Sequence, residues 1–265
     1  MLDGRFLVIQ VEKEKYLIFL NDINKDKPNE FKKINMKECP FCNREKLTDI
    51  IDKKGPFILL KNKYPTIKDT YQLVLIETYT CDHDMGQYSK EYMEELIRFG
   101  VKHWLKIEDS GEYKSVIFYK NHGPNSGGSL KHPHMQIVGI YDIDYKSKMK
   151  EDYFEGLEVH KSDRCLVNLS HRPFNGFTEF NIIIDDDLYA LNELSYNLRK
   201  IVHYLLNNYF VKCDSFNIFF YHWEEKIICK VMPRFTSSPL LLGYGIKQIS
   251  SCEREIADKL KSMYF

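Results

Sequence analysis

The residues of this chain best equipped for chemistry fall in one stretch, His122-Gly123-Pro124-Asn125-Ser126-Gly127-Gly128-Ser129-Leu130-Lys131-His132-Pro133-His134-Met135-Gln136. Gly127 and Gly128 can turn their N–H groups toward one point, which makes a nest for an anion. Ser126 and Ser129 add hydroxyl donors, and Lys131 adds a cation. His132 and His134 stand two apart, and on an extended segment such residues share a face. An imidazole there can ligate a metal, shuttle protons or attack phosphorus as a nucleophile. Singly, a Gly/Ser stretch reads as a flexible loop and an HxH pair as incidental. Joined at the base of the one loop that distinguishes two halves of the chain, they are hard to dismiss as incidental, with ligand, proton-shuttle and nucleophile roles all open to the imidazoles.

The second constellation is Cys39-Pro40-Phe41-Cys42. The chain has seven cysteines, at 39, 42, 81, 165, 213, 229 and 252, and the other five have no spacing partner and read as ordinary thiols. CxxC is a metal or a redox spacing. The thioredoxin-like βαβ context that a redox pair needs is not apparent around it. A zinc deaminase would place H-x-E ahead of P-C-x-x-C. Here His222-Trp223-Glu224 comes after the cysteines, and Glu38 precedes Cys39.

Elements must position these groups. The chain opens with strand-like runs, Phe6 to Gln10 and Tyr16 to Leu20, followed by a polar loop from Asn21 to Lys37. An apolar run, Phe57 to Leu60, ends at the turn signal Asn62-Lys63-Tyr64-Pro65. An order then occurs twice. The first copy has a strand at Tyr71–Glu77, a helix over about Ser89–Ile107, and strands at Ser115–Lys120 and about His134–Tyr141. The second has a strand at Phe180–Ile184, a helix over about Leu188–Leu206, and strands at Ser215–Tyr221 and Lys226–Met232. A C-terminal helix follows, with Ser250-x-x-Glu253 as a capping-box candidate. The fold expected is therefore α+β, a tandem pseudo-repeat of antiparallel sheet with helices packed on it. The charged, aromatic segment Tyr145–Ser162 is the joint, dividing residues 1–150 from residues 151–265. Only the first copy carries the long loop Asn121–Lys131; the second has the short turn His222–Glu225. A long loop on a compact repeat is characteristically functional.

Length and charge set outer bounds. At 265 residues the chain is just under two domains of about 150 residues each. Its 38 basic and 38 acidic residues cancel, so no global basic field favours a nucleic-acid polymer. A hydrophobic fraction of 43% supplies a core and argues against disorder. No apolar run reaches the roughly 18 residues of a membrane span. Met1–Lys15 lacks the apolar core of a signal peptide. The expectation is a soluble cytoplasmic protein with reduced thiols.

His132-Pro133-His134-x-Gln136, followed by a β run, resembles the HPHxQ active-site motif of galactose-1-phosphate uridylyltransferases, members of the histidine-triad superfamily. Cys39-x-x-Cys42 resembles that family's first two zinc ligands, Asp82-His83 the pair that gives the third, and His132 matches the fourth; Cys81 stands beside His83 as an alternative. Lys25-Asp26-Lys27-Pro28-Asn29-Glu30-Phe31 resembles the phosphate-binding basic segment, and Asn62-Lys63-Tyr64-Pro65 the segment that contacts the nucleoside. Met232-Pro233-Arg234 and Leu242-Gly243-Tyr244-Gly245-Ile246 resemble the family's C-terminal strand and turn.

The resemblance implies a histidine-triad-like catalytic unit followed by a degenerate copy. It implies a structural zinc on Cys39, Cys42, His83 and His132, and a nucleophile, His134. The nucleophile would take a nucleotidyl group from a nucleotide or nucleotide sugar and pass it to a phosphate-containing acceptor. Ser129 and Gln136 would steady the phosphoryl oxygens. Asn62, Lys63, Asn121, Ser126, Gly127, Gly128 and Lys27 would bind the nucleotide and its phosphates. Gln136 sits where hydrolytic relatives carry a third histidine; an amide cannot act as a general acid, which favours transfer or phosphorolysis over hydrolysis. A homodimer is compatible with the family. Two other readings stay open: a nucleotide sensor with little turnover, and a zinc-dependent hydrolase. The sequence also departs from the family. Ile228-Cys229-Lys230-Val231 stands where further metal-binding histidines are placed, Asn24 and Lys27 replace an arginine pair, and Lys63 replaces a common Asp.

Overall fold

A computed structural model describes residues 15–34, 38–175 and 177–265. The expected strand at Phe6–Gln10 lies outside them. After a short helix, α1 (Asn21–Asp26), the chain writes β1 (Ile50–Lys54), β2 (Phe57–Lys61), β3 (Thr70–Ile76), α2 (Lys90–Glu108), β4 (Ser115–His122) and β5 (His134–Ile140). It then repeats the order as β6 (Gly156–Lys161), β7 (Cys165–Ser170), β8 (Phe180–Asp185), α3 (Leu191–Asn207), β9 (Phe216–Trp223) and β10 (Lys226–Pro233). Two helices close it, α4 (Pro239–Tyr244) and α5 (Glu253–Tyr264).

All ten strands form one sheet in the order β1-β2-β3-β5-β4-β9-β10-β8-β7-β6. The second five mirror the first, and β4 pairs antiparallel with β9 at the join. Ladder registers match the halves residue by residue. Phe118 faces Phe220 across the join, Phe118 faces Ile137 as Phe220 faces Cys229, and Leu73 faces Ile137 as Ile182 faces Cys229. The halves are therefore related by a pseudo-two-fold axis through the Phe118–Phe220 pair, whose rings stack with centroids 4.6 Å apart.

Strand alternation sorts the two faces of the sheet. Leu73 and Leu75 of β3, Phe118 of β4, and Met135 and Ile137 of β5 point to the helix side, into one large buried cluster. There α2 presents Met93, Leu96, Ile97, Val101 and Trp104, spaced as one helical face. The Trp104 indole is fully buried and donates to the Val116 carbonyl at 3.0 Å. Ser89 starts α2 by accepting from the Tyr92 N–H. On the opposite face, Ile58, Leu60, Val74 and Ile76 form a small patch under Phe41 and Leu47 of the CxxC segment. His134 and Gln136 of β5 belong to this open face.

Three strands were not anticipated. β1 is an edge strand exposed along most of its length, so it has no inside–outside pattern. β6 and β7 lie in and just beyond the stretch read as the joint. Tyr16–Leu20 is not a ladder strand; it makes one bridge, Phe19 to Ile67. The capping box at Ser250-x-x-Glu253 does not form. α5 begins at Glu253 with Cys252 as its cap, and the Ser250 hydroxyl accepts from Cys252 instead. Among the described residues no helix is long and apolar enough to cross a membrane.

Candidate active site

The long loop leaves β4 at His122 and returns at His134. Its first turn is fixed against the second half of the chain. Gly123 has φ +82°, and a Cβ there would lie 2.1 Å from the Asp214 carbonyl oxygen and 2.5 Å from Ser215 Oγ. Only glycine combines that φ with so close an approach. The Asn125 N–H donates to Ser215 Oγ at 3.1 Å. Asn217 Nδ2 donates to Asn121 Oδ1 at 2.7 Å and to the Ser126 carbonyl at 3.0 Å. Ser126 is consumed within the loop: its hydroxyl donates to the Gly123 carbonyl and accepts from the Gly128 N–H. On the other flank, the Glu30 N–H donates to the Ser129 carbonyl at 2.7 Å, and the Lys131 N–H donates to the Glu30 carboxylate at 2.9 Å.

His132 and His134 part company at the loop's end. His132 is fully buried, and its Nε2–H donates to the Thr78 carbonyl at 3.0 Å. A carbonyl can only accept, so Nδ1 carries the lone pair. That Nδ1 lies 3.5 Å from Cys39 Sγ and 3.4 Å from both Cys42 Sγ and Cys81 Sγ. The four donor atoms all lie within 4.8 Å of one another. A tetrahedral zinc with ligand distances of about 2.0–2.3 Å has edges of about 3.5–3.8 Å, so the set fits that ion in donor type, number and tautomer. The third ligand position expected at His83 is corrected to Cys81. The chain bends through residues 79–82, which leaves Cys81 facing the CxxC and turns His83 out to solvent. Burial raises the thiols of Cys39 and Cys81 above their ordinary values.

The His134 imidazole is held differently. Its Nδ1–H donates to the His132 carbonyl at 2.7 Å, leaving Nε2 unprotonated. Burial, with a smaller effect from the nearby Lys120 cation, lowers its pKa to about 3, so it is neutral at physiological pH. Phe41, between the two CxxC cysteines, packs edge-on against both histidines at centroid distances of 5.7 and 5.4 Å.

His134 opens on a cavity of about 620 Å³, within the usual size for a small-molecule site. Of the residues expected to bind ligand, Lys27, Asn62, Lys63, Asn121, Gly127, Gly128, Ser129 and Gln136 line it. Ser126 does not, because its hydroxyl is turned into the loop. The Gly128 N–H is likewise spoken for by Ser126, so the expected pair of free glycine amides is reduced to that of Gly127. Leu60, Val74 and Phe41 give the cavity an apolar wall. Lys27 is half-buried and its ammonium pKa is lowered by burial; no ion pair to it is found among the described residues.

The sequence reading missed Asn217, Ser215 and Glu30, which hold the loop. Nothing local marks them, since the partners lie about 90 to 100 positions away. The pseudo-symmetry also places a second cavity, of about 460 Å³, on the other half. Leu166, Asn168 and Ile183 line it where Leu60, Asn62 and Val74 line the first. Lys226 and Ile228 stand there in place of His134 and Gln136. The second half therefore keeps a hollow, with a lysine at the position of His134.

No curated protein matches the chain. Among solved structures of the same fold are an ADP-glucose phosphorylase from Arabidopsis thaliana with bound ADP-glucose and a uridylyltransferase. The first is 13% identical over 91% of this chain and 94% of that one, with a TM-score of 0.68; the second is 15% identical over 85% and 91%, with a TM-score of 0.66. The chain thus shares its fold with these two proteins. A DUF4931 protein from Bacillus cereus ATCC 10987 is 48% identical over 81% of this chain and 98% of its own, with a TM-score of 0.75. The models for the N-terminal and C-terminal domains of DUF4931, a domain of unknown function, match residues 19–143 and 146–265. With both models in tandem and 81% of its length matched to that relative at 48% identity, the chain belongs to the DUF4931 family.

Proposed function

We propose that this chain is a nucleotidyltransferase or nucleotide phosphorylase that works through a covalent nucleotidyl group on His134. One observation carries the reading: the His134 Nδ1–H is committed to the His132 carbonyl, so a neutral imidazole offers the cavity its Nε2 lone pair. Nε2 attacks the α-phosphorus of a nucleoside diphosphate sugar or a dinucleoside polyphosphate. An N–P bond forms, and the bond to the bridging oxygen breaks with its electron pair on the departing phosphate. A phosphate oxygen of the acceptor then attacks the same phosphorus, and His134 is restored. The departing phosphate needs no proton, so a glutamine at 136 suffices. Its amide N–H groups, Ser129 Oγ, the Gly127 N–H and the Lys27 ammonium are available to steady the phosphoryl oxygens. Asn62, Lys63 and Asn121 would hold the remainder of the nucleotide.

Cys39, Cys42, Cys81 and His132 would hold a zinc ion. With four protein ligands it would have no open position, and its contribution is structural: it would tie the CxxC segment and the residue 78–82 bend to the base of the catalytic loop. The occurrence of a uridylyltransferase and an ADP-glucose phosphorylase on this fold supports the reaction class.

The test is incubation of the zinc-loaded protein with ADP-glucose and UDP-glucose labelled at the α-phosphate. Label should be trapped on the wild type and be absent from His134→Ala. No label from these or from a wider panel of nucleotides, with nucleotide binding intact, would leave a sensor as the better reading.

A further inference from the structure

Three consecutive carbonyls surround the proposed nucleophile, and each has its own donor. The His132 carbonyl accepts from His134 Nδ1–H at 2.7 Å, the Pro133 carbonyl from the Glu77 N–H at 3.0 Å, and the His134 carbonyl from Lys120 Nζ at 3.4 Å. The third donor is unusual because it is a side chain inside a sheet. The β4–β5 ladder runs from Ser115–Ile140 to Tyr119–Gln136 and stops. Beyond it β4 stays with β9, and His134 has a strand partner only in β3, at Ile76. The long loop thus opens the sheet beside the nucleophile, and Lys120 reaches across the gap.

Lys120 is held there by a buried carboxylate. Its Nζ lies 2.5 Å from Glu77 Oε1, with the two side chains 1% and 0% exposed. Glu77 is tied down in turn: the Tyr88 hydroxyl donates to Oε2 at 3.0 Å and the Tyr92 hydroxyl to its backbone carbonyl at 2.7 Å. Burying both charges is costly without partners, and here both carboxylate oxygens of Glu77 accept while Lys120 Nζ donates to Glu77 and to the His134 carbonyl.

The other half supplies an internal comparison. The registers that match Phe118 with Phe220 and Leu73 with Ile182 match Lys120 with His222 and Glu77 with Asp186. His222 Nε2 and Asp186 lie 3.2 Å apart with side chains 24% and 37% exposed. There the β9–β10 ladder continues unbroken to Trp223–Lys226, so no gap exists to be filled. The second half also has a buried Lys–Glu pair, Lys230–Glu179, but at positions unrelated to these; of the two symmetry-related sites, the buried one is the one where the sheet is opened beside His134.

We infer that Lys120 and Glu77 are positioning residues that hold the backbone of His134 in line for attack on phosphorus. Neither lines the cavity, so neither touches the ligand. The kinetic part of the inference rests on the nucleotidyl-transfer reading above.

The test uses the full-length zinc-loaded chain and the double variant Lys120→Met/Glu77→Gln, which removes both charges while keeping shape and an acceptor for Tyr88. AMP affinity and thermal unfolding should stay near the wild type. The single-turnover rate of labelling from α-phosphate-labelled ADP-glucose or UDP-glucose should fall about 100-fold, the usual consequence of a displacement of about 1 Å at a reacting group. Amide hydrogen exchange should quicken at residues 134–136 and not elsewhere. Lys120→Arg, which keeps charge and donors, should recover much of the rate. Glu77→Asp is a milder variant, expected to lose rate without loss of AMP binding. A folded double variant with wild-type labelling and unchanged exchange at 134–136 overturns the inference. If the wild type itself takes no label, the transfer reading fails, and the exchange comparison alone still decides whether the pair holds His134.

Discussion

Gly123→Ala tests how the long loop between β4 and β5 is anchored. An alanine at φ +82° carries a backbone penalty of about 1–2 kcal/mol, because left-handed conformations crowd its Cβ. The same Cβ would lie 2.1 Å from a backbone oxygen of Asp214 and 2.8 Å from Ser215 Cα. Neither can swing aside as a side chain would, so the loop must back away by about 1 Å, with an overpacking cost of about 1–3 kcal/mol. The total is about 2–5 kcal/mol. Gly127 provides the control. Its φ is +85°, yet a Cβ there meets nothing within 4 Å, so only the backbone penalty of about 1–2 kcal/mol applies. Urea unfolding should therefore rank Gly123→Ala below Gly127→Ala by about 1–3 kcal/mol. Labelling of His134 should drop by about 100-fold in Gly123→Ala, since the shift begins at the root of the loop. Equal stability losses in the two variants, or full labelling in Gly123→Ala, would refute the claim that contact with Asp214 and Ser215 fixes the loop.

Three further outcomes are expected. Metal analysis should find about one zinc per chain in the wild type and in His83→Ala, but little in Cys81→Ser; with free zinc a thousandfold above its Kd, the lost linkage is about 4 kcal/mol of stability. For His134 the folded pKa of about 3 lies below the unfolded value of about 6.5, so its contribution to stability is complete above pH 6.5 and declines as pH falls toward 3. Between pH 7 and pH 5 the wild type should lose about 2 kcal/mol more in denaturant unfolding than His134→Asn, while His122, whose pKa burial lowers to about 4, contributes equally to both. Asn217→Ala strips the donor from Asn121 and Ser126; it should cost about 1–3 kcal/mol and speed hydrogen exchange across residues 121–131.

What the sequence revealed depended on whether the information was local. The helices over Lys90–Glu108 and Leu191–Asn207 were legible because each buries one face, and a 3.6-residue period records that directly. β5 and the HPHxQ segment were legible for the same reason: alternation places His134 and Gln136 opposite Met135 and Ile137. β1 escaped because an edge strand has no buried face to imprint a pattern. The metal set was three-quarters legible. Cys39 and Cys42 stand out by their CxxC spacing and His132 by the family resemblance, but the choice between Cys81 and His83 turns on the four-residue bend at 79–82, and no periodicity encodes it. Ser126 misled because a serine in a glycine loop can aim its hydroxyl at a ligand or at its own backbone, and here the Gly123 carbonyl is nearer. Lys120 and Glu77 read as ordinary charges in strand-end positions; only the sheet order reveals that they meet across β5.

The Phe118–Phe220 pair carries a consequence for descent. In a two-fold homodimer each residue on the axis meets its own copy. This chain has that contact at positions that are copies of each other, inside one continuous sheet. It has the build of a symmetric dimer whose two subunits were fused end to end, after which their duties separated. One subunit kept the imidazole. The other has Lys226 at that position and serves as the buttress, lending Ser215 and Asn217 to a loop it does not itself possess. A fused chain can make that bargain because its two halves mutate separately, whereas in a true homodimer every change would strike both reactive sites at once.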